Sequence, residues 1–247
     1  MVLSRLALVL VVGLVATGCA GADGRRAQEL LAQAEAAETR LTSASYELEL
    51  SVSAEGQNVK LMMDGGAYLK GKRAGDQVLS LRAGGLLGGM DFQFVSLGGQ
   101  AHVRMDGRWQ RLPASLSARG AAGQGFGSGA FLELARYVKD VRVEEGKLVN
   151  GEPTASVAGT IDTAGLVKAV MRLNGFSKLT GGAAPDLGEL VEHLGDTHAV
   201  LAISERTHLV RAAVVDLTIE QDGKKVVVQL VYRLRSANQP VRIPKPL

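Results

Sequence analysis

From residue 45 onward the chain is governed by an apolar period of two, broken at short intervals by turn residues. That period admits strands and excludes long helices. Tyr46, Leu48, Leu50, Val52 and Ala54 alternate with Glu47, Glu49, Ser51 and Ser53. After a turn at 55–58, Val59, Leu61 and Met63 alternate with Lys60, Met62 and Asp64. Gly65-Gly66 then interrupts the pattern, as at a bulge or bend. Further strands fit 77–82, 91–97 and 101–105, and Asp106-Gly107 joins the last of these to 108–112 as a hairpin. Residues 141–148 and 154–161 form another hairpin around Asn150-Gly151. Three closing strands occupy 199–204, 210–221 and 224–235, with Asp222-Gly223 turning the last pair. The Pro-rich tail from Pro240 ends the domain, because proline cannot donate to a central ladder.

Helical spacing appears in fewer places. Ala27, Leu30, Leu31, Ala34, Ala37 and Leu41 recur at three- and four-residue steps, which predicts a helix over 25–44. Phe131, Leu134, Ala135 and Val138 predict a short helix over 131–139. Two more are expected at 163–173 and 187–194, the second opened by Asp186 with Glu189 three residues on in a capping-box arrangement. Residues 114–130 are a low-complexity, Gly-rich loop of a length that is usually functional or mobile. Strands and helices thus fall in separate runs, with no internal repeat and no break in composition. The expectation is a single α+β domain with an antiparallel sheet of about eleven strands.

The N-terminus carries a different signal. Arg5 precedes an apolar run over 6–16, about half of the roughly 20 residues needed to span a bilayer as a helix. It reads as a signal-peptide core. Ala16-Thr17-Gly18-Cys19 follows, with small residues before the single cysteine of the chain. This resembles a bacterial lipobox, in which the cysteine sulfur receives diacylglycerol and the chain is cut just before it. The plainer reading is an ordinary secretory signal with an incidental cysteine. The expected division is a signal peptide over 1–18, an acylated tether over 19–24 and one domain over 25–247. Two or three acyl chains on Cys19 would hold the protein at a membrane, since each buried methylene adds about 0.8 kcal/mol. A lone cysteine also excludes an internal disulfide framework.

No residue is expected to be catalytic, no metal or cofactor is expected, and the chain does not read as an enzyme. Residues 66–73 nearly spell a phosphate-binding loop, but Arg73 stands where Ser or Thr should bind magnesium, and the segment leads from strand to strand. The Gly-rich loop has no G-x-G-x-x-G register, and no serine sits in G-x-S-x-G. His102, His193, His198 and His208 show no metal-ligand spacing. Trp109 between Arg108 and Gln110-Arg111 is either a stacking patch or the tip of an amphipathic strand. The net charge is only +3 and no dense Lys/Arg block occurs, so nucleic acid is not an expected partner.

What needs explaining is the apolar supply, 46% of the residues. The strands offer Leu48, Leu50, Leu61, Met63, Phe92, Phe94, Val103, Val215, Leu217, Ile219, Val228, Leu230 and Tyr232, with Tyr46 and Met105, to one interior. They either pack as a core or line a cavity for lipid tails, since ligand sites are concave and mostly apolar. Periodicity alone leaves both open.

The order of features narrows this. The lipobox, the leading helix, Ser43-Ala44-Ser45-Tyr46-Glu47-Leu48 and the strands up to Gly107-Arg108-Trp109-Gln110-Arg111-Leu112 form the first part of a pattern. Tyr137-Val138-Lys139-Asp140-Val141, then Val149-Asn150-Gly151-Glu152-Pro153-Thr154 and Ala158-Gly159-Thr160-Ile161-Asp162, continue it. Asn238-Gln239-Pro240-Val241-Arg242-Ile243-Pro244 completes it. Together these resemble the LppX/LprAFG-type bacterial lipoproteins, related in fold to the LolA/LolB lipoprotein-sorting proteins. The resemblance implies a strongly curved antiparallel sheet, an incomplete β-barrel, wrapped over a few α-helices. It also implies a cavity that takes acyl chains of a lipid or lipoprotein, for transport or retention in the cell envelope, with no catalytic residues. The partners would then be a membrane, through Cys19 on the extracytoplasmic side, and acyl chains. The other reading is a non-enzymatic envelope scaffold with a packed core and a protein partner.

Overall fold

The computed structural model describes residues 22–54, 56–85, 91–113, 134–162, 194–221 and 224–246. The described residues open with helix α1 (Ala22–Glu38), followed by strands β1 (Ser43–Ala54), β2 (Gln57–Tyr68), β3 (Gln77–Gly85), β4 (Asp91–Leu97), β5 (Gln100–Met105) and β6 (Arg108–Arg111). A single 3-10 turn, Leu134–Tyr137, leads into β7 (Val138–Glu144), β8 (Leu148–Val149) and β9 (Glu152–Ile161). The remaining strands are β10 (Leu194–Ser204), β11 (Val210–Gln221) and β12 (Lys224–Ala237).

The strands form one open antiparallel sheet in the order β6-β5-β4-β3-β2-β1-β12-β11-β10-β9-β7, with β8 paired to β9 off this path. The first and last strands meet at its centre, where Leu48 faces Tyr232 and Leu50 faces Leu230. Two hairpins turn as their dipeptides require. Asp106 and Gly107 have φ of 51° and 77°, and Asn150 and Gly151 have 52° and 79°.

Several expectations need correction. The first helix ends at Glu38, not Ala44, because Thr39 and Arg40 turn the chain and β1 already begins at Ser43. Leu41, counted in the helical stripe, is buried from that link instead. At its other end α1 takes in Ala22, Asp23 and Gly24, which were expected in the tether. Gly65-Gly66 makes no bulge, since β2 pairs with β1 without a register shift from Gln57 to Tyr68. The expected helix over 131–139 is, within the described residues, only the turn Leu134–Tyr137, after which Val138 enters a strand. Leu134, Ala135 and Val138 are all buried, so their spacing marked one buried side without marking a helix. One α-helix is found among the described residues. The helices expected at 163–173 and 187–193, the loop 114–130 and the Asp222-Gly223 turn lie outside them, whereas Leu194 belongs to β10. Twelve strands are found among the described residues against about eleven expected, the addition being the two-residue β8.

The core lies on one face of the sheet. Ala27, Leu31 and Ala34 of α1 join a buried cluster with Tyr46, Leu48, Val157, Leu201, Ala213, Val215, Tyr232 and Leu234. A smaller cluster, Leu79, Phe94 and Ala101, occupies the β3–β5 side of the same face, and Met63 packs against both.

Candidate functional site

The register settles which apolar side chains share a face, because directly paired residues in an antiparallel ladder point the same way. One row runs Ala213–Tyr232–Leu48–Met63–Leu81–Phe92–Met105 from β11 to β5. A second runs Val215–Leu230–Leu50–Leu61–Ala83, and a third Leu217–Val228–Val52–Val59. Phe94 and Val103 continue the row of Tyr46, Gly65 and Leu79. Ile219 pairs with Val226, which faces Ala54. All thirteen residues singled out from the sequence therefore lie on one face, with Tyr46 and Met105.

They are not equally covered. Leu48, Phe94, Val103, Val215 and Tyr232 are buried, as core residues are. Leu50, Leu61, Met63, Phe92, Leu217, Ile219, Val228 and Leu230 are half-buried. Met105, at the β5 end of its row, is 52% exposed. On β1, β2, β11 and β12 burial thus falls from the end near Ser43 toward the end near Ala54, whereas α1 packs chiefly on β7 and the 134–137 turn, where Leu134, Val138 and Ile161 are buried. An apolar area of several strands' width remains only partly covered, and that is unusual for side chains whose transfer from water is worth about 25 cal/mol per Å².

Two tyrosine hydroxyls sit inside the buried part. Tyr46 and Tyr232 stack with ring centroids 6.5 Å apart. The Tyr232 hydroxyl is buried without a hydrogen-bond partner. Burial pushes both hydroxyls far above the ordinary tyrosine range. For Tyr232 the Glu38 carboxylate and Tyr46 add to the shift, and Arg211 opposes it.

The opposite face carries charged pairs beside half-buried valines such as Val200, Val214 and Val231, and its best-buried charge was not singled out from the sequence. Glu47, 8% exposed, accepts from Arg233 at 3.0 Å and from Arg235. No local pattern could have shown this, because Arg233 lies 186 residues away. Beyond it, Lys60 pairs with Glu49 at 2.7 Å, and Arg82 with Asp64. A second cluster closes the β10–β11 turn. Ser204 donates to Glu152 and accepts from the Thr207 amide at 2.9 Å, while Arg211 Nε lies 3.1 Å from Glu152.

The remaining candidates are placed as follows. Residues 66–73 are the end of β2 and the turn beyond it, a strand and turn with no following helix. His102 lies half-buried in β5, His198 exposed in β10 and His208 half-buried in the β10–β11 turn. His193 and Cys19 lie outside the described residues. No group of three His, Cys, Asp or Glu side chains suited to a metal occurs among the described residues. Trp109 sits opposite Arg104, whose guanidinium is 5.9 Å from the ring centroid, on the face that carries the charged pairs and away from Arg108. No described helix is long and apolar enough to cross a membrane.

Comparison with known proteins agrees with this architecture. LprF from Mycobacterium bovis superposes with a TM-score of 0.54 at 17% identity, covering 92% of this chain and 99% of that one. The lipoprotein LppX from Mycobacterium tuberculosis gives 0.45 at 16% identity, covering 89% and 99%. No family model matches the sequence, and no curated protein matches it. The chain shares the fold of LprF.

Proposed function

We propose that this protein is a lipid-anchored envelope lipoprotein that holds acyl chains of a lipid or lipoprotein against the partly covered apolar face of its sheet. The observation that carries this is the pair of rows Val215–Leu230–Leu50–Leu61 and Leu217–Val228–Val52–Val59. They continue the buried core outward without a change of chemistry, yet most of their side chains keep contact with solvent. A packed scaffold would cover them with its own side chains or present polar ones. The LprF-type fold supports the reading. In it, the mature chain begins at Cys19, whose acyl chains anchor it, and a single domain follows on the extracytoplasmic side. Transport or retention of the cargo, not its chemical conversion, is the activity.

The experiment is extraction of the chain, purified from a bacterial host, followed by native mass spectrometry and an assay of labelled-lipid transfer between vesicles. Bound lipid and transfer are expected. Absence of both sinks the proposal and leaves the packed scaffold.

A further inference from the structure

We infer that the end of the sheet built from the α1–β1 link, the β2–β3 turn and the C-terminal tail is a docking surface for an anionic lipid bilayer. Arg40, Lys70, Lys72, Arg73, Arg242 and Lys245 are all exposed there. They come from three segments distant in sequence, which hydrogen bonds fasten together. The Leu69 and Lys70 amides both donate to the Thr42 carbonyl, at 2.8 and 3.2 Å. Lys70 Nζ donates to the Thr39 carbonyl. The Thr42 amide donates to Asn238 Oδ1 at 2.8 Å, and the Asn238 amide to the Ser43 carbonyl at 2.8 Å. The tail is held again at Tyr68, whose hydroxyl accepts from the Val241 amide at 3.0 Å.

Negative charge is nearly absent from this surface. The single acid in residues 39–42, 69–76 and 238–247 is Asp76. It is 8% exposed, and its carboxylate already accepts from Arg73 Nε at 3.0 Å and from the Gly98 amide at 2.9 Å. Cations gathered this way create an outward positive field that an anionic surface would neutralise.

Two observations favour a bilayer over a nucleic acid. Grooves for single-stranded nucleic acid pair their cations with exposed aromatic rings on which bases stack. Tyr68 is the one aromatic residue at this end among the described residues. Its ring is capped by Arg73 at 4.0 Å and its hydroxyl is taken by the tail. The tail also sets half-buried Ile243 between exposed Arg242 and Lys245, with prolines holding it extended. Apolar and cationic side chains in alternation suit a headgroup interface. The surface is built from described residues alone. The anchored reading supplies only the bilayer.

The test uses the full chain reconstituted in vesicles. Cys19 is the one native cysteine, so Ala74→Cys in the exposed β2–β3 turn offers a single dye site when Cys19 is acylated. A wild-type chain that takes up the thiol dye counts against acylation alone, and the comparison is then made on a Cys19→Ser background. Quenching by nitroxide-headgroup lipid is expected in vesicles with roughly one third phosphatidylglycerol and not in pure phosphatidylcholine. It should vanish at about 0.5 M salt, where screening reaches only a few Å. The combined variant Lys70→Glu, Lys72→Glu, Arg242→Glu, Lys245→Glu should lose it, and a dye at Asn58→Cys, toward the other end, should stay silent. Equal quenching in both lipids, none in anionic vesicles, or retention by the charge-reversed chain would overturn the inference. Displacement by a short DNA duplex at concentrations well below the lipid phosphate would also overturn it. The lipid and salt comparisons use the unaltered charges, so the outcome does not depend on the variant folding.

Discussion

The ring of Tyr46 lies across Gly65, its cross-strand partner, and fills the space that a side chain at position 65 would need. Any Cβ there would sit 2.7 Å from Tyr46 Cε2 and closer still to the end of the ring. A glycine inside a strand usually weakens it, but here it admits an aromatic ring over bare backbone. The adjacent Gly66 does the same for Val241 on the opposite face, where a Cβ would lie 2.6 Å from Cγ1.

Gly65→Ala should therefore destabilise the protein by about 1–3 kcal/mol, the usual cost of overpacking. Urea unfolding measures it. Adding Tyr46→Leu should recover part of the loss in a double-mutant cycle. Strict additivity would mean that the ring does not set the requirement for glycine.

Burial raises the pKa of Tyr46 and Tyr232 in the folded state, so the folded protein keeps protons that the unfolded chain gives up. Stability from these groups is complete below the unfolded tyrosine pKa and declines as pH rises through it. Above about pH 10, stability should fall by on the order of 1–3 kcal/mol per pH unit, with phenolate absorbance from this pair appearing only as the protein unfolds. Tyr46→Phe with Tyr232→Phe should flatten the slope. An unchanged slope would place the alkaline sensitivity elsewhere.

The match between pattern and structure was best where alternation and a turn signal agreed. β4 and β11 have the expected ends, and Asp106-Gly107 and Asn150-Gly151 turn as expected. It failed where one signal had two sources. Gly65-Gly66 reads as a break in a strand, because a sequence shows a missing side chain but not the ring that replaces it. Leu134, Ala135 and Val138 have helical spacing because a tight turn buries the same residues that a helix would.

Asn238 adopts φ 57° at the end of β12, and its side chain accepts from both the amide and the hydroxyl of Thr42. Asn238→Ala should cost about 1–2 kcal/mol by losing these bonds and straining a left-handed backbone. Asn238→Gly relieves only the strain, so its Tm should fall between those of the alanine variant and the wild type. Equal melting temperatures for the two variants would show that the backbone conformation contributes nothing.

Cys19→Ala should release the protein from membranes, since no other acyl site is expected in the chain. Fractionation after high-salt washing checks this, and a variant that still sediments with membranes refutes the anchor.

Val228→Asp should cut lipid transfer more than tenfold while leaving the Tm within a few degrees, because a carboxylate against an acyl chain loses solvation worth several kcal/mol. Val228 is half-buried, so the same charge without lipid still reaches water. Undiminished transfer would move the lipid off this face.

The apolar face could be anticipated from alternation, because strand period assigns side chains to faces before any partner is known. How each row is covered could not, since coverage depends on which strands neighbour one another. Nor could the basic end of the sheet. Lys70 and Arg242 are remote in the chain, and a modest net charge says nothing about where charges gather.

The meeting of β1 and β12 at the centre of the sheet has a kinetic consequence. Glu47 and Arg233, 186 residues apart, pair only after almost the whole chain is available. β1–β6 can zip as successive hairpins, and β10–β12 likewise, but the seam between these runs closes only with β12. Joining such distant segments is slow. A chain of this design completes its sheet only once β12 is available.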